Sequence, residues 1–170
     1  GLLKSACRMD DPVIFMELKG LYRQGFASSP EPDSDFYLEF GRANIVQEGK
    51  NMTIVTWGSQ VSKSVEAIRN LDVSVEIIDI RTINPLDIET ILESIKKTNR
   101  LLIVHEDNMT NGFGAEIAAK ISDIGFEYLD APIKRVASLD CHVPYSPILE
   151  DQILVQTSWI EDAVKELLEY

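Results

Sequence analysis

The chain has 170 residues, 45% of them apolar, which is enough for one compact domain with a core and some additional segments. Its 28 acidic residues outnumber the 16 basic ones and give a net charge of −12, which repels nucleic-acid phosphates and anionic lipid surfaces. We therefore expect no nucleic-acid or membrane binding. Two cysteines without a CxxC pattern, no signal-peptide pattern and no apolar run of ~20 residues predict a cytoplasmic protein.

The first 35 residues resemble the end of one unit followed by a linker. Gly1 to Asp11 has the pattern of a helix end without an N-cap, which suggests that the chain is part of a longer polypeptide. Val13 to Leu18 has the high β propensity of a strand, but nothing in the next thirty residues offers it a partner. Gln24 to Asp35 is rich in Ser, Pro, Gly and acidic residues, which is typical of a linker. The strand is therefore assigned to a preceding domain.

A regular alternation of strands and helices follows the linker. Apolar β-type runs predict three strands, and each is followed by apolar residues at helical spacing. The strands are Met52 to Trp57, Val73 to Ile80 and Leu101 to His105; the helices carry Val61 to Leu71, Leu86 to Thr98 and Ile117 to Ile124. Strand and helix in turn, three times over, imply a parallel sheet with right-handed crossovers. We place Val75 to Asp87 (VEIIDIRTINPLD) at its centre, with Arg81 at the carboxyl end of the strand.

The tail departs from this alternation. Glu127 to Leu129 and Ile133 to Ala137 are predicted as short strands, Val143 to Ile148 as a Pro-containing loop, and Trp159 to Leu168 as a closing amphipathic helix. An antiparallel strand at the edge of a mostly parallel sheet is a common variant. The predicted fold class is therefore α/β, with three layers and a mostly parallel sheet that has an antiparallel edge strand.

Two patterns carry candidate chemistry. Asn111 to Gly114 follows a strand and opens a helix, as phosphate-binding turns do, but without the full G-x-G-x-x-G its glycines indicate close helix–strand packing. His105 and Glu106 end the third strand, where a histidine beside carboxylates could act as an acid–base group or lie in the core or an interface. The structural interpretation is preferred for both.

Seven segments in fixed order resemble the beta part of thiamine-diphosphate-dependent 2-oxo acid dehydrogenases. They are DPVIFMELKGLYR, VTWGSQV, VEIIDIRTINPLD, SIKKTNRLLIVHE, GFGAEIAAKI, FEYLDAPIKRV and VPYSPILE. The resemblance covers essentially the whole chain. It implies that residues 40–170 form a domain like the transketolase C-terminal domain, that residues 1–20 are the tail of the preceding pyrimidine-binding domain, and that residues 21–39 link the two.

In this family a thiamine ylid decarboxylates a 2-oxo acid, and the acyl group passes to a lipoyl group. The resemblance implies thiamine diphosphate and Mg in the parent assembly. The residues that hold them in the family have no counterpart here, so no catalytic or cofactor-binding residue is assigned and the isolated chain is expected to be inactive. The implied partners are an alpha part or subunit, a second beta copy and the lipoyl acyltransferase core, in a homodimer or larger oligomer.

The segment from Phe15 to Arg23 is more similar to branched-chain enzymes, and the linker to bacterial forms with fused alpha and beta parts. The expected substrate is therefore of the 2-oxoisovalerate type, used in branched-chain amino acid catabolism. Three alternatives stay open. The parent protein could be a pyruvate-type or acetoin-type enzyme, or another transketolase-like thiamine enzyme, or the chain could be a non-catalytic flavodoxin-like interaction module.

Two groups of site residues follow from the resemblance. Relatives hold a potassium ion with main-chain oxygens, and the matching positions here are Ala6, Met9 and Asp11. Arg81, His105 and Glu106 are assigned to subunit interfaces, because they lie at strand ends of a domain that mainly packs subunits together.

Overall fold

A computed structural model describes residues 1–170 and contains one five-stranded sheet with helices on both faces. The strands are β1 (Asn44–Gln47), β2 (Met52–Thr56), β3 (Val75–Asp79), β4 (Leu101–Asn108) and β5 (Lys134–Ser138). The helices are α1 (Leu2–Ala6), α2 (Gln60–Ile68), α3 (Ile88–Thr98), α4 (Phe113–Ile124), α5 (Pro147–Glu150) and α6 (Thr157–Leu168). No helix is both long enough and apolar enough to cross a bilayer.

The strand order is β1-β3-β2-β4-β5, with β2 to β5 parallel and β1 antiparallel to β3. This confirms the predicted fold class. Two details of the prediction were wrong. The antiparallel edge strand is β1 and does not lie in the tail, because β5 follows a crossover through α4 and runs parallel to β4. The strand of VEIIDIRTINPLD lies second in the sheet, and β2 is central.

The sheet buries a separate apolar cluster on each face. One face packs against α2 and α6, and its cluster includes Ile54, Ile77 and Val104. The other face packs against α3 and α4, and its cluster includes Val55 and Ile103. Neighbouring residues of one strand thus belong to opposite clusters, as the alternation of side chains along a strand requires. This burial on both faces explains why the parallel strands read as continuous apolar runs.

The helix after β3 begins and ends where its sequence provides caps. The Asp87 carboxylate accepts hydrogen bonds from the N–H of Thr90 at 3.1 Å, the hydroxyl of Thr90 at 2.7 Å and the N–H of Ala43 at 2.8 Å. Burial alone would raise the pKa of Asp87, but these hydrogen bonds hold it below its ordinary value. Asn99 ends α3 in the left-handed conformation at φ 59°, which asparagine tolerates well. The caps therefore fix both ends of α3.

One predicted strand is absent, and a second has no partner within the chain. Val13 to Leu18 pairs with no strand of the sheet. A strand forms only where a second strand completes its hydrogen bonds, so its assignment to a preceding domain stays a prediction. Residues Phe126–Tyr128 form a single 3₁₀ turn where a strand over Glu127 to Leu129 was predicted. That turn follows directly on the end of α4 at Gly125, which leaves no length for a strand.

Candidate functional site

The most polar part of the sheet is its carboxyl edge between β2 and β4. The chain leaves β2 through α2 toward β3 on one side, and it leaves β4 through α4 toward β5 on the other. At such a reversal of strand order the following loops diverge and open a crevice, where α/β domains often bind ligands. The residues at this position are Trp57 to Gln60 after β2, His105 and Glu106 near the end of β4, and the turn that opens α4.

His105 is completely buried at this edge. Its ring stacks on Trp57 with a centroid distance of 5.3 Å and an interplanar angle of 1°. Phe113, the first residue of α4, meets Trp57 edge-on at 5.8 Å. Neither ring nitrogen of His105 has a hydrogen-bond partner in the chain. Burial lowers the pKa of His105 below its ordinary value of 6.5. The ring is therefore neutral near pH 7.

The glycine-containing turn before α4 packs on this histidine. A Cβ atom added at Gly112 would lie 2.2 Å from the carbonyl oxygen of Asn108 and 2.6 Å from the His105 ring. A Cβ atom at Gly114 would lie 2.4 Å from two atoms of the same ring. The space that a phosphate would need is thus filled by the imidazole. The glycines allow close contact between helix and strand, as the preferred interpretation of the sequence predicted.

Replacing Gly114 with alanine should therefore destabilise the chain by about 1–3 kcal/mol, because the added methyl group must displace the stacked ring of His105. Urea unfolding of the two proteins measures this difference. The matched control is Gly20→Ala, since Gly20 has no atom within 4 Å of the added methyl group. Equal stability of the two variants would show that the ring has room to move.

Glu106 follows His105 and points to the opposite face of the sheet. Its side chain is exposed, and one carboxylate oxygen accepts hydrogen bonds from the hydroxyl of Ser59 at 2.5 Å and from the amide of Gln60 at 3.1 Å. Its main-chain oxygen accepts a hydrogen bond from the hydroxyl of Ser138 at 2.5 Å. Glu106 thus connects β4 with the first turn of α2 and with β5, while its carboxylate remains accessible.

Arg81 lies one strand away, after β3. Its backbone has a φ of 56°, in the left-handed region, and its N–H donates to the Asp79 carboxylate at 3.0 Å. Burial raises the pKa of Asp79, although this hydrogen bond and the charge of Arg81 lower it in part. The structure therefore fixes the main chain at Arg81, and the guanidinium is partly exposed at the same edge of the sheet as Glu106.

The predicted cation ligands lie far from this edge of the sheet in the sequence, at the end of α1. The main-chain oxygen of Ala6 accepts a hydrogen bond from the N–H of Met9 at 3.2 Å, and both Met9 and Asp11 are exposed. No three His, Cys, Asp or Glu side chains lie close enough together to hold a metal ion. Main-chain oxygens are the type of ligand that a hard cation takes. The assignment of Ala6, Met9 and Asp11 to a potassium ion stays a prediction.

The partners of His105 and Glu106 were not predicted from the sequence. Trp57, Ser59 and Gln60 follow β2, which is separated from β4 by more than forty residues. Their position directly after a predicted strand could have marked them as candidate site residues. The pairing of β2 with β4 could not be predicted, because the chain passes through β3 before it returns beside β2.

Apolar side chains are exposed in two segments outside the sheet. The first runs through the unpaired stretch after α1, where Ile14 is 91% and Met16 is 77% exposed. The second is the loop around α5, where Tyr145 is fully exposed and Ile148 is 74% exposed. Concentrated apolar surface of this kind is typical of contacts with other domains or subunits.

These features define a doubly wound α/β domain with an open sheet and polar side chains at the point where the strand order reverses. The chain belongs to the transketolase C-terminal domain family, whose model, described as "Transketolase, C-terminal domain", matches residues 41–160. The match spans the whole sheet and the first turn of α6. The fold and family predicted from the sequence are thereby confirmed.

Similar proteins come from two enzyme types. The chain is 43% identical to the mitochondrial pyruvate dehydrogenase E1 component subunit beta of Dictyostelium discoideum, over 98% of this chain and 48% of that protein. It is 45% identical to the mitochondrial 2-oxoisovalerate dehydrogenase subunit beta of the same organism, over 85% of this chain and 40% of that protein. The chain thus spans about half the length of the curated relatives that it matches. The substrate type stays a prediction.

Among solved structures, a split-gene transketolase described as an inactive beta4 tetramer is similar with a TM-score of 0.68 and 25% identity. The similarity covers 82% of this chain and 46% of that one. It therefore includes most of the fold described above.

Proposed function

We propose that this chain is the C-terminal assembly domain of the decarboxylating component of a thiamine-diphosphate-dependent 2-oxo acid dehydrogenase. The observation that carries the proposal is the family match over residues 41–160, together with beta subunits of 2-oxo acid dehydrogenases as relatives along nearly the whole chain. The parent enzyme would decarboxylate a 2-oxo acid and transfer the acyl group to a lipoyl group, with the thiamine cofactor supplying the electron sink.

In this proposal the domain holds no part of the cofactor. The only turn that resembles a phosphate site, before α4, is filled by the His105 ring. Thiamine diphosphate and Mg are therefore assigned to other parts of the assembly, and the isolated chain is expected to have no activity. Ala6, Met9 and Asp11 are proposed to give main-chain oxygens to a potassium ion whose remaining ligands lie outside this chain.

The proposed role of the domain is association. The exposed apolar side chains near Ile14 and Tyr145 provide the surface for it, and burying them would remove apolar area from water. Arg81 and Glu106 add opposite charges at the carboxyl edge of the sheet. His105 is buried and contributes to that edge by packing against Trp57. The proposed partners are an alpha part, a second beta copy and the lipoyl acyltransferase core, in a cytoplasmic oligomer.

We propose 2-oxoisovalerate-type acids as substrates, on the similarity of the Phe15 to Arg23 segment to branched-chain enzymes. Pyruvate is the second candidate, because several relatives carry that name at 42–44% identity. The similarity to the 2-oxoisovalerate enzyme is of the same size, so identity alone favours neither candidate.

The assembled parent enzyme, saturated with thiamine diphosphate and Mg, tests both levels of the proposal. We expect kcat/KM for 2-oxoisovalerate to exceed that for pyruvate by about tenfold or more, because added methyl groups are worth 10–200-fold in an apolar pocket. A preference for pyruvate would contradict the substrate assignment alone. The lack of turnover with every 2-oxo acid would favour a non-catalytic interaction module.

The isolated chain is the control for this assay. Calorimetric titration with thiamine diphosphate should show no saturable binding, because the diphosphate-binding motif of the family has no counterpart among these residues. Micromolar affinity would refute the assignment of the cofactor to other parts of the assembly.

A further inference from the structure

We propose that His105 is a proton-sensitive latch that holds the first turn of α4 on the end of β4 and releases it when the imidazole becomes charged. The proposal concerns a property of the fold and does not depend on the substrate of the parent enzyme. It rests on how completely the chain encloses this ring.

The enclosure involves three separate elements. Trp57, after β2, covers one face of the ring in a parallel stack at 5.3 Å. Gly112 and Gly114, at the start of α4, approach the ring so closely that neither position could carry a Cβ atom without displacing it. The ring itself is 0% exposed. A proton on the second ring nitrogen would therefore be out of reach of water unless one of these elements moves away.

Burial has the largest effect on the charged form of the ring, and it disfavours the charge. Neither ring nitrogen has a hydrogen-bond partner in the chain, and the charge and main chain of Asp107 favour the imidazolium without outweighing burial. Arg135, on β5, opposes the charge. The turn after β2 contributes Trp57 and no charge. The contacting turn of α4 is uncharged, and its Glu116 is exposed and paired with Lys120 at 3.2 Å. The helix N-terminus itself carries partial positive charge, which also disfavours an imidazolium.

The pH dependence of opening has a definite direction. Burial lowers the pKa of His105 below 6.5 in the closed state, whereas in an opened state the ring returns to its ordinary value. Protons therefore bind preferentially to the opened state. The latch is intact above about pH 6.5, and it weakens as the pH falls below that value. Each pH unit in this window favours opening by up to about tenfold.

The α4 turn is the element that should move. It contacts the ring through Gly112 and Gly114, which have no side chains. It also follows a loop in which Asn111 has the left-handed conformation at φ 62°. β4 and β2, by contrast, are held by ladder hydrogen bonds within the sheet. Opening would thus begin at Gly112 and extend into α4, leaving the sheet paired.

Hydrogen–deuterium exchange of the assembled protein, read by mass spectrometry at pH 7.5, 6.5 and 5.5, tests the latch. With intrinsic exchange rates corrected, peptides from the first half of α4 should lose protection by up to about tenfold between pH 6.5 and 5.5. His105→Phe keeps a flat ring on Trp57 but cannot take a proton, so its α4 protection should stay constant. His142→Asn removes the other histidine, which is exposed, and should behave like the wild type.

Loss of α4 protection to the same extent in His105→Phe and wild type would overturn the proposal. If His105→Phe does not fold, the pH dependence of exchange in the wild type tests the proposal by itself. Loss confined to the α4 turn supports the latch. Constant protection down to pH 5.5, or equal loss in α3 and α6, rules it out.

Discussion

Replacing Gly49 with alanine should lower the free energy of unfolding by about 3 kcal/mol or more. A Cβ atom at Gly49 would lie 2.0 Å from the backbone nitrogen of Glu76 and 2.1 Å from the carbonyl carbon of Val75. These are main-chain atoms inside the sheet, so no side-chain rotation can make room, and the cost lies at or above the upper end of the range for overpacked sites.

The expected loss comes from displacing the turn between β1 and β2. Lys50 and Asn51 donate their N–H groups to the carbonyl of Ser74 at 3.0 and 2.8 Å, and this turn therefore lies directly on the start of β3. Moving it away would break these bonds and strain the pairing of β1 with β3. Urea unfolding with two independent probes measures the change, and Gly20→Ala is again the matched control. A change below 1 kcal/mol would show that the turn adjusts without leaving β3.

Removing the carboxylate of Glu76 should cost about 3 kcal/mol in Glu76→Ala and about 1 kcal/mol in Glu76→Gln. The side chain is 1% exposed. One oxygen accepts a hydrogen bond from the hydroxyl of Ser94 at 2.5 Å, and the other accepts from the ammonium of Lys97 and from the N–H of Gly49 at 3.4 Å. Alanine leaves all three donors without this acceptor, whereas glutamine keeps the size and one oxygen.

The network continues from Glu76 into the core. Ser94 also shares a hydrogen bond of 2.6 Å with Thr53, and Thr53 shares another of 2.6 Å with Thr98. These hydroxyls connect α3 to β2, while Glu76 belongs to β3. Lys97 is 41% exposed and also contacts Glu48, so the ion pair itself contributes little and most of the cost arises from the buried hydroxyls. The double variant Glu76→Ala, Ser94→Ala should therefore be less destabilised than the sum of its single variants.

The same carboxylate gives a pH dependence with a predictable sign. Burial alone would raise the pKa of Glu76, but the hydrogen bonds from Lys97 and Ser94 outweigh it and hold the pKa below its ordinary 4.5. A carboxylate with a lowered pKa in the folded state stabilises the protein above that ordinary value, and the contribution is lost as the pH falls through the folded pKa. Glu76→Gln should thus flatten the stability curve below pH 4.5. An unchanged curve would show that Glu76 takes no part in acid unfolding.

The alternation of β2, α2, β3, α3, β4 and α4 could be predicted because each element carries its own periodicity. Val55 and Ile54 belong to opposite faces of one strand, so a buried parallel strand shows as a continuous apolar run without knowledge of its neighbours. Both ends of α3 were likewise predictable, since Asp87 caps its start and Asn99 caps its end through contacts within a few residues. These signals involve residues close together in the chain, so they can be recognised without the structure.

The wrong predictions depended on partners that are distant in the chain. Asn44 to Gln47 was not predicted as a strand, and it becomes one because β3 pairs with it. The enclosure of His105 by Trp57 and Gly114 joins three elements from different parts of the chain. Only the strand order brings them together.

The sequence by itself determined the class of fold, the family and the order of the alternating strands and helices, because these follow from periodicity and motif order. The tertiary structure decided which strand ends meet at the carboxyl edge of the sheet. It brought Glu106 of β4 into contact with the first turn of α2, filled the glycine turn with a buried imidazole and packed Gly49 against the backbone of β3. The physical reason is that packing and hydrogen bonding between distant elements depend on strand order, which no local pattern of residues encodes.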